Sequence, residues 1–543
     1  LYPYSPTPVS PGLRLPPPQL GEEGEPLPQS PRCTPPTAAR FQMFRAGVSY
    51  RLPCRDRLPG VTRGNQYRER PPRRQGGRNP RIPGAIGWYR RRLAPASAWR
   101  FLPFLDGIRK EPRTKLGMSR RIRDPGTSPP IVVIGAGAAG LVAAVFAAAG
   151  GRRTLLLERT RDGGRKILIS GGGRCNVLPS VGREASYVTA SSRNTLAKIL
   201  RSWPLPEQRR FFEEEAGIPL ALEEESGKLF PRSGRARDVR DGLVAMAARH
   251  GVETRFGVTV TDVAPSAGGT WRVRTDGAGE IQAGSVVLAT GGLSVPSTGS
   301  DGTGLRIAAG LGLRVHELYP ALTPLTDASG THAHLAGVSL NVRLEAPTAV
   351  GRFESSGGFL FTHRGYSGPA VLNIAHLAVR SGRDGGERQR ILAQWSGEDA
   401  AVWEARLQTP DGGQVATVLR RHLPHRLADT LLSEAGVPAD RAVAQLRRAE
   451  RMGLVELLAR YPLPWTGDEG YKKAEVTGGG VALSEIVPAT LECRSHPGLF
   501  LCGELLDSFG PIGGYNFAWA WATGRAAGRG AAAAAALRSA AGG

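Results

Sequence analysis

The residues Gly135-Ala136-Gly137-Ala138-Ala139-Gly140 stand directly after an apolar, β-branched run, Ile131-Val132-Val133-Ile134. Glycines at this spacing, between a strand and a helix, set a pyrophosphate against the backbone. Gly135 permits the tight turn, Gly137 lets the backbone approach the phosphates, and Gly140 lets the helix pack on the strand. Ala138 belongs to the same turn and leads into an Ala-rich helix running to Ala149. That helix offers free N–H groups and the positive end of its dipole. A second apolar run, Thr154-Leu155-Leu156-Leu157, ends at Glu158, 18 residues beyond Gly140. A carboxylate there accepts hydrogen bonds from a ribose diol. Strand, glycines, helix, strand and acid in this order describe a dinucleotide site, without choosing between FAD and NAD.

Three further segments favour a flavin. Residues 164–176 read Gly-Arg-Lys-Ile-Leu-Ile-Ser-Gly-Gly-Gly-Arg-Cys-Asn. Gly171, Gly172 and Gly173 form an anion-cradling nest in this reading, flanked by Arg165, Lys166 and Arg174 and followed by Cys175 and Asn176. Ser285-Val286-Val287-Leu288 is a buried strand leading to Ala289-Thr290-Gly291-Gly292, which returns the chain to the cofactor. Before it, Gly257–Val263 alternates as a strand does and brings Val260 near an adenine. Near the end, Gly498–Leu501 leads to Gly503 and Glu504, then Asp507, then Gly510-Pro511-Ile512-Gly513-Gly514-Tyr515-Asn516 and an Ala-rich helix. Glu504 is placed to bond ribityl hydroxyls. The helix after Gly513-Gly514 points its N-terminus where negative charge develops on a reduced flavin, which raises the reduction potential.

On these residues the chain resembles the YhiN/BaiN-like bacterial flavoproteins, the NAD(P)/FAD-dependent oxidoreductases also described as aminoacetone oxidases. Phe361-Thr362-His363, Ser367-Gly368-Pro369 and Thr477-Gly478-Gly479-Gly480-Val481 extend the match. The resemblance implies an α/β fold: a discontinuous Rossmann-type FAD-binding domain with inserted β-barrel-like and small helical domains. The expected divisions are 128–319 and 471–543 for the two parts of the FAD-binding domain, 320–411 for the barrel-like insert and 412–470 for the helical one. Val415, Leu419 and Leu423 keep helical spacing in the last of these, and Pro424 ends or kinks that segment.

The flavin supplies the redox chemistry, and the protein holds the substrate and moves a proton. His363, Cys175 and Tyr515 are the catalytic candidates, with Tyr366 and Asp507 also considered. Without a Cys-x-x-Cys, a dithiol mechanism is disfavoured. No second strand–glycine–helix unit appears, and Gly299–Gly304 reads as a loop of the flavin or substrate domain. NAD(P)H is therefore a candidate electron donor without a dedicated dinucleotide fold. The substrate is expected to be a small molecule, and the oligomeric state is not specified.

Composition divides the chain unevenly. Residues 1–117 hold 21 of the 43 prolines and 22 Lys and Arg against seven Asp and Glu, a net +15 of the chain's +24. Residues 1–127 read as a disordered Pro/Arg-rich arm, or as an over-extended gene start with Met118 as the initiator. The alternative function is an RNA-associated flavoprotein using this arm. No RNA-binding module accompanies it, so a nucleic-acid partner is disfavoured. Five cysteines, Cys33, Cys54, Cys175, Cys493 and Cys502, form no disulfide framework or metal-ligand spacing. A reducing, cytoplasmic setting with no metal is expected. Ile131–Gly150 is twenty residues without a charge, but its order reads as strand, turn and helix and not as a membrane span.

Overall fold

The computed structural model describes residues 128–541 apart from 278, 350, 384–386 and 410–411, with nothing said of the side chains of 539–541. The expected arm and initiator fall on residues 1–127, outside the described residues. Strand β1 (Ile131–Ile134) is buried at all four positions, as a parallel strand covered on both faces must be. It pairs in parallel with β2 (Thr154–Glu158) on one side and β4 (Ser285–Leu288) on the other. β3 (Glu253–Phe256) and β6 (Leu499–Leu501) close the two edges, giving the order β6-β4-β1-β2-β3. β6 therefore joins the sheet from the far end of the chain.

Helix α1 (Ala138–Ala149) crosses between β1 and β2. The 27-residue helix α2 (Tyr515–Ala541) packs along it. A Cβ added at Gly524 would lie 2.4 Å from the Ala139 carbonyl oxygen, and one at Gly528 would lie 2.3 Å from that of Ala143. The Ala-rich face of α1 and the Gly-x-x-x-Gly of α2 thus exist to let two backbones touch. The charge-free run resolves into strand, turn and helix. Among the described residues no helix is long and apolar enough to cross a membrane.

Between Leu325 and Asp468 runs a seven-stranded antiparallel sheet. Its end strands are Tyr461–Pro462 and Gly467–Asp468. Six intervals of about 4.8 Å would part the ends of a flat sheet by roughly 29 Å. The five chain steps from Pro462 to Gly467 reach at most about 19 Å. The sheet must therefore roll, which makes it barrel-like. The helices at Ala400–Arg406, Val415–Arg420, His425–Glu434 and Arg448–Ala459 leave and re-enter this sheet. They share one hydrophobic cluster with it, in which Trp395 and Phe359 meet Trp403, Leu419 and Leu431. Pro424 separates two of the helices, as its missing N–H requires.

Helix Pro369–Ser381 carries His376 into the seam between the two bodies, with its ring against Phe353 and Phe509. Burial lowers its pKa to about 4. The unfolded imidazole titrates near 6.5, so between these values the unfolded state binds the extra proton. Stability is full above about pH 6.5 and falls as the pH drops toward 4, by up to about 3 kcal/mol from this residue. His376→Gln should flatten the melting temperature against pH across that window; an unchanged slope would remove His376 as its source.

Candidate functional site

A cleft of about 520 Å³ opens where β1, β2, β4 and β6 end. Gly135, Gly137, Ala138, Glu158, Thr290, Gly291, Gly503 and Glu504 all face it. They come from the carboxyl ends of these four strands or the turns after them, where a parallel sheet leaves a crevice.

The first turn is built as its glycines require. Gly135 has φ +101°, and a Cβ there would meet the Ala289 carbonyl oxygen at 2.6 Å. A Cβ at Gly140 would lie 1.8 Å from the Gly135 carbonyl oxygen, so Gly140 belongs to the packing behind the cleft wall. Gly137 differs. Its φ is −77°, and nothing lies within 4 Å of an added Cβ. It caps α1 with no side chain over the helix N-terminus, and no acidic residue follows in the first turn. Glu158 Oε2 accepts from Ala136 N at 2.6 Å, while Oε1 accepts from the N–H and hydroxyl of Thr160 at 2.8 and 2.7 Å. A carboxylate has about four acceptor positions, so one stays open to a ribose hydroxyl.

Gly171, Gly172 and Gly173 follow one another at φ +56°, +66° and +85°. Gly171 and Gly172 line the cleft beside Arg165, Lys166, Arg174 and Asn176. Arg174 stacks on Phe230 and pairs with Glu223 at 2.9 Å. Arg165 donates to Asp162 at 2.9 Å. Val260 reaches the opposite end of the cleft together with Val258 and Thr259. Gly513 and Gly514 line it at φ +116° and +95°, directly before α2. Asn516 faces it while its side-chain amide clamps both backbone groups of Gly510 at 2.8 and 2.9 Å.

Several expectations are corrected here. Glu504 lines the cleft but is already held within the protein, with three donors on Oε1 and one on Oε2, which leaves one position on Oε2 for a ligand hydroxyl. Ser294 Oγ, Thr477 N and Thr477 Oγ1 donate to Oε1 at 2.5, 3.0 and 2.9 Å, and Lys166 Nζ donates to Oε2 at 2.5 Å. Its work is to aim Lys166 and fasten β5 (Val476–Val481). Gly292 lies behind the wall, where a Cβ would strike Thr477 Oγ1 at 2.3 Å. Gly173 is likewise outside the lining. Asp507 is buried away from the cleft and binds the segment 189–191, accepting from Thr189 Oγ1, Ala190 N and Ser191 Oγ at 2.9, 3.0 and 2.7 Å.

None of the three catalytic candidates lines the cleft. His363 is exposed in the turn between the strands Gly351–Thr362 and Gly365–Ser367 of the rolled sheet. Tyr515 donates its hydroxyl to the Val181 carbonyl at 3.0 Å and packs on Tyr187. Tyr366 is buried in the inserted body, bonded to His332 Nδ1 at 2.9 Å. Cys175 is fully buried, and loss of solvent pushes its thiol up to about 12. Such a thiol is neither a nucleophile nor an acid at neutral pH. Cys175→Ser should therefore keep flavin content and turnover within about twofold, and folded protein should shield Cys175 from Ellman's reagent. Rapid labelling of Cys175 in folded protein would refute this.

Side chains not anticipated from sequence complete the lining. Among them are Lys228, Glu475 and Ser508, while the expected flavin- or substrate-domain loop contributes Gly299–Asp301 and Thr303. Thr290 Oγ1, Asn176 Oδ1 and Ser508 Oγ are buried and have no hydrogen-bond partner in the protein, and all three residues line this cleft. Buried polar atoms are normally paired. These three, with the open space over Gly137 and the uncapped α1 terminus, fit a long polar ligand carrying a pyrophosphate.

The model of the family described as HI0933-like protein Rossmann domain matches residues 129–530. The chain belongs to this family. It is an FAD-dependent oxidoreductase. It is 33% identical over 374 residues to a 3-dehydro-bile acid delta(4,6)-reductase of Clostridium scindens, covering 68% of this chain and 90% of that protein. It is also 33% identical over 397 residues to a ribosomal RNA dihydrouridine synthase of Escherichia coli, covering 72% and 95%. A protein of the same name from Haemophilus influenzae is 31% identical over 406 residues, covering 72% and 96%.

Proposed function

We propose that the cleft holds FAD and that the enzyme reduces a carbon–carbon double bond conjugated to a carbonyl in a small molecule, with NAD(P)H as electron donor. The observation that carries the FAD placement is the alignment of three unpaired buried polar atoms with the glycine turn in one cleft. Glu158 and Val260 would take the adenosine half. Arg165, Lys166, Gly171, Gly172, Asn176 and the Gly513–Asn516 turn would take the flavin half. FAD would supply hydride transfer; the protein supplies alignment and charge. A delta(4,6)-reductase of a 3-dehydro bile acid and a dihydrouridine synthase both saturate a double bond beside a carbonyl, which supports this substrate class.

Purified protein should show a flavin spectrum and release FAD on denaturation. NADPH or NADH should bleach it without oxygen. A colourless protein that takes up no added FAD would overturn the cofactor assignment; a yellow protein that neither nucleotide bleaches would overturn the donor. A second reading rests on the ribosomal RNA dihydrouridine synthases: the same reduction, performed on a uracil base within RNA. Mass spectrometry of ribosomal RNA incubated with enzyme and NADPH distinguishes the two.

A further inference from the structure

Among the described residues, two charged side chains, Lys228 and Glu475, line the cleft without a hydrogen bond or close ion pair, although Lys228 also stands across the strand pair from Glu223. Lys228 stands on the strand Lys228–Pro231, and its stem runs over the turn before α2. A Cβ on Gly513 would lie 3.3 Å from Lys228 Cε. Glu475 directly precedes β5, where the chain returns from the rolled sheet, and its N–H donates to the Leu322 carbonyl at 3.1 Å. Across the cleft, Ile512 N donates to Asn373 Oδ1 of the inserted helix at 2.8 Å. This part of the cleft is thus the junction of the FAD-binding domain with the inserted body. Substrate sites favour such junctions.

The charges also suit each other's proximity. Glu475 is exposed by its accessible surface, yet the protein packed around its carboxyl desolvates it and raises its pKa above the usual range, with Lys228 pulling the other way. A carboxyl shifted in this direction holds its proton more readily and can donate it, and an ammonium lining the same cleft stabilises an oxyanion.

Resting on the function proposed above, we infer that Lys228 and Glu475 read and protonate the substrate. Lys228 donates to the carbonyl oxygen. FAD bound here and reduced by a nicotinamide would supply the hydride, with its two electrons, for a new C–H bond at the β-carbon. The π pair of the double bond moves onto the carbonyl oxygen as an enolate facing Lys228. Glu475 then gives its proton to the α-carbon, the C=O re-forms, and the carboxylate regains a proton from water. The substrate gains two electrons and two hydrogens. The ligand chemistry is a conjugated carbonyl, whether an alicyclic enone or a uracil.

The test uses photoreduced holoenzyme mixed anaerobically with cyclohex-2-enone or with uridine, following flavin reoxidation by absorbance across pH. Wild type should be reoxidised by at least one probe, faster at the lower end of the pH range where Glu475 is protonated. The probe that works separates the enone source from the uracil source. Glu475→Gln should keep its FAD and photoreduce normally, yet reoxidise roughly 100-fold more slowly and with a flat pH profile. Lys228→Met should keep FAD and raise the half-saturating probe concentration about tenfold or more. In D₂O the product should carry deuterium at the α-carbon. The inference is overturned by a Glu475→Gln enzyme that reoxidises at the wild-type rate with an unchanged pH profile, by a Glu475→Gln enzyme that loses FAD, or by FAD-loaded wild type that neither probe reoxidises. Wild type without FAD would instead overturn the function on which this rests.

Discussion

Gly137→Val is expected to give a protein that folds normally and no longer retains FAD, whereas Gly140→Ala is expected to fail at folding. Both residues sit in one short glycine motif, but the constraints on them differ in kind. At Gly137 the backbone is ordinary extended chain and nothing lies within 4 Å of an added Cβ. The fold therefore tolerates a side chain there, and only a ligand lying on the turn objects. Two added methyl groups on the phosphate path, over the uncapped end of α1, should weaken FAD binding by roughly 100-fold or more, about 2.7 kcal/mol. At Gly140 the obstacle is the Gly135 carbonyl oxygen, 1.8 Å from the new carbon. That oxygen is backbone and not the flexible end of a side chain, so α1 must move off β1. Overpacking of a core commonly costs about 1–3 kcal/mol even when side chains can yield. Here the backbone must yield, against a total stability of roughly 5–15 kcal/mol. Far-UV melting and the ratio of protein to flavin absorbance separate the outcomes. A Gly137→Val protein saturated with FAD would move the pyrophosphate elsewhere.

The contrast also shows what the sequence makes legible. Gly140 answers the Gly135 carbonyl five residues back and Gly135 a left-handed turn, so their spacing states the local geometry, while the Ala289 carbonyl that also crowds Gly135 is not visible in it. The parallel sheet is legible for the same reason: Ile131–Ile134, Thr154–Glu158 and Ser285–Leu288 are short apolar runs that only a doubly covered strand explains. Burial of single residues is less legible. Cys175 beside an anion-binding loop looks reactive in sequence, but the left-handed run before it turns the thiol into the core. His363 lies on a hairpin whose exposure follows from the rolling of the sheet, which alternation alone does not specify. Lys228 and Glu475 carry no pattern at all; each is one charge in an unremarked stretch, and only the return of the chain from the inserted body places both on one wall. Gly524 and Gly528 had a visible spacing, yet the need for it appears only when α1 lies against them.

Glu504 has a structural role beyond the expected ribityl contact, and that role carries a second large effect. As a ribityl contact, its loss would weaken FAD binding and leave the apoprotein intact. As the shared acceptor for Lys166, Ser294 and Thr477, its loss should destabilise the apoprotein itself. Glu504→Leu strands the Thr477 N–H and takes the carboxylate from a Lys166 ammonium that is only one-quarter exposed and keeps Ser294 Oγ as an acceptor. Each unsatisfied buried donor costs about 1–3 kcal/mol, and removing one partner of a well-buried ion pair costs about 3–5 kcal/mol. Partial solvation of Lys166 reduces the second figure, so a combined loss of about 3 kcal/mol is expected in urea unfolding of the apoprotein. Glu504→Gln keeps one carbonyl acceptor and should lose less. The decisive comparison is Glu504→Leu with Lys166→Met. If the carboxylate holds the lysine, the double variant removes the stranded charge and is less destabilised than the sum of the singles. Additive losses would show that the two side chains act separately, and an undiminished apoprotein with weakened FAD would restore Glu504 to the ribityl chain.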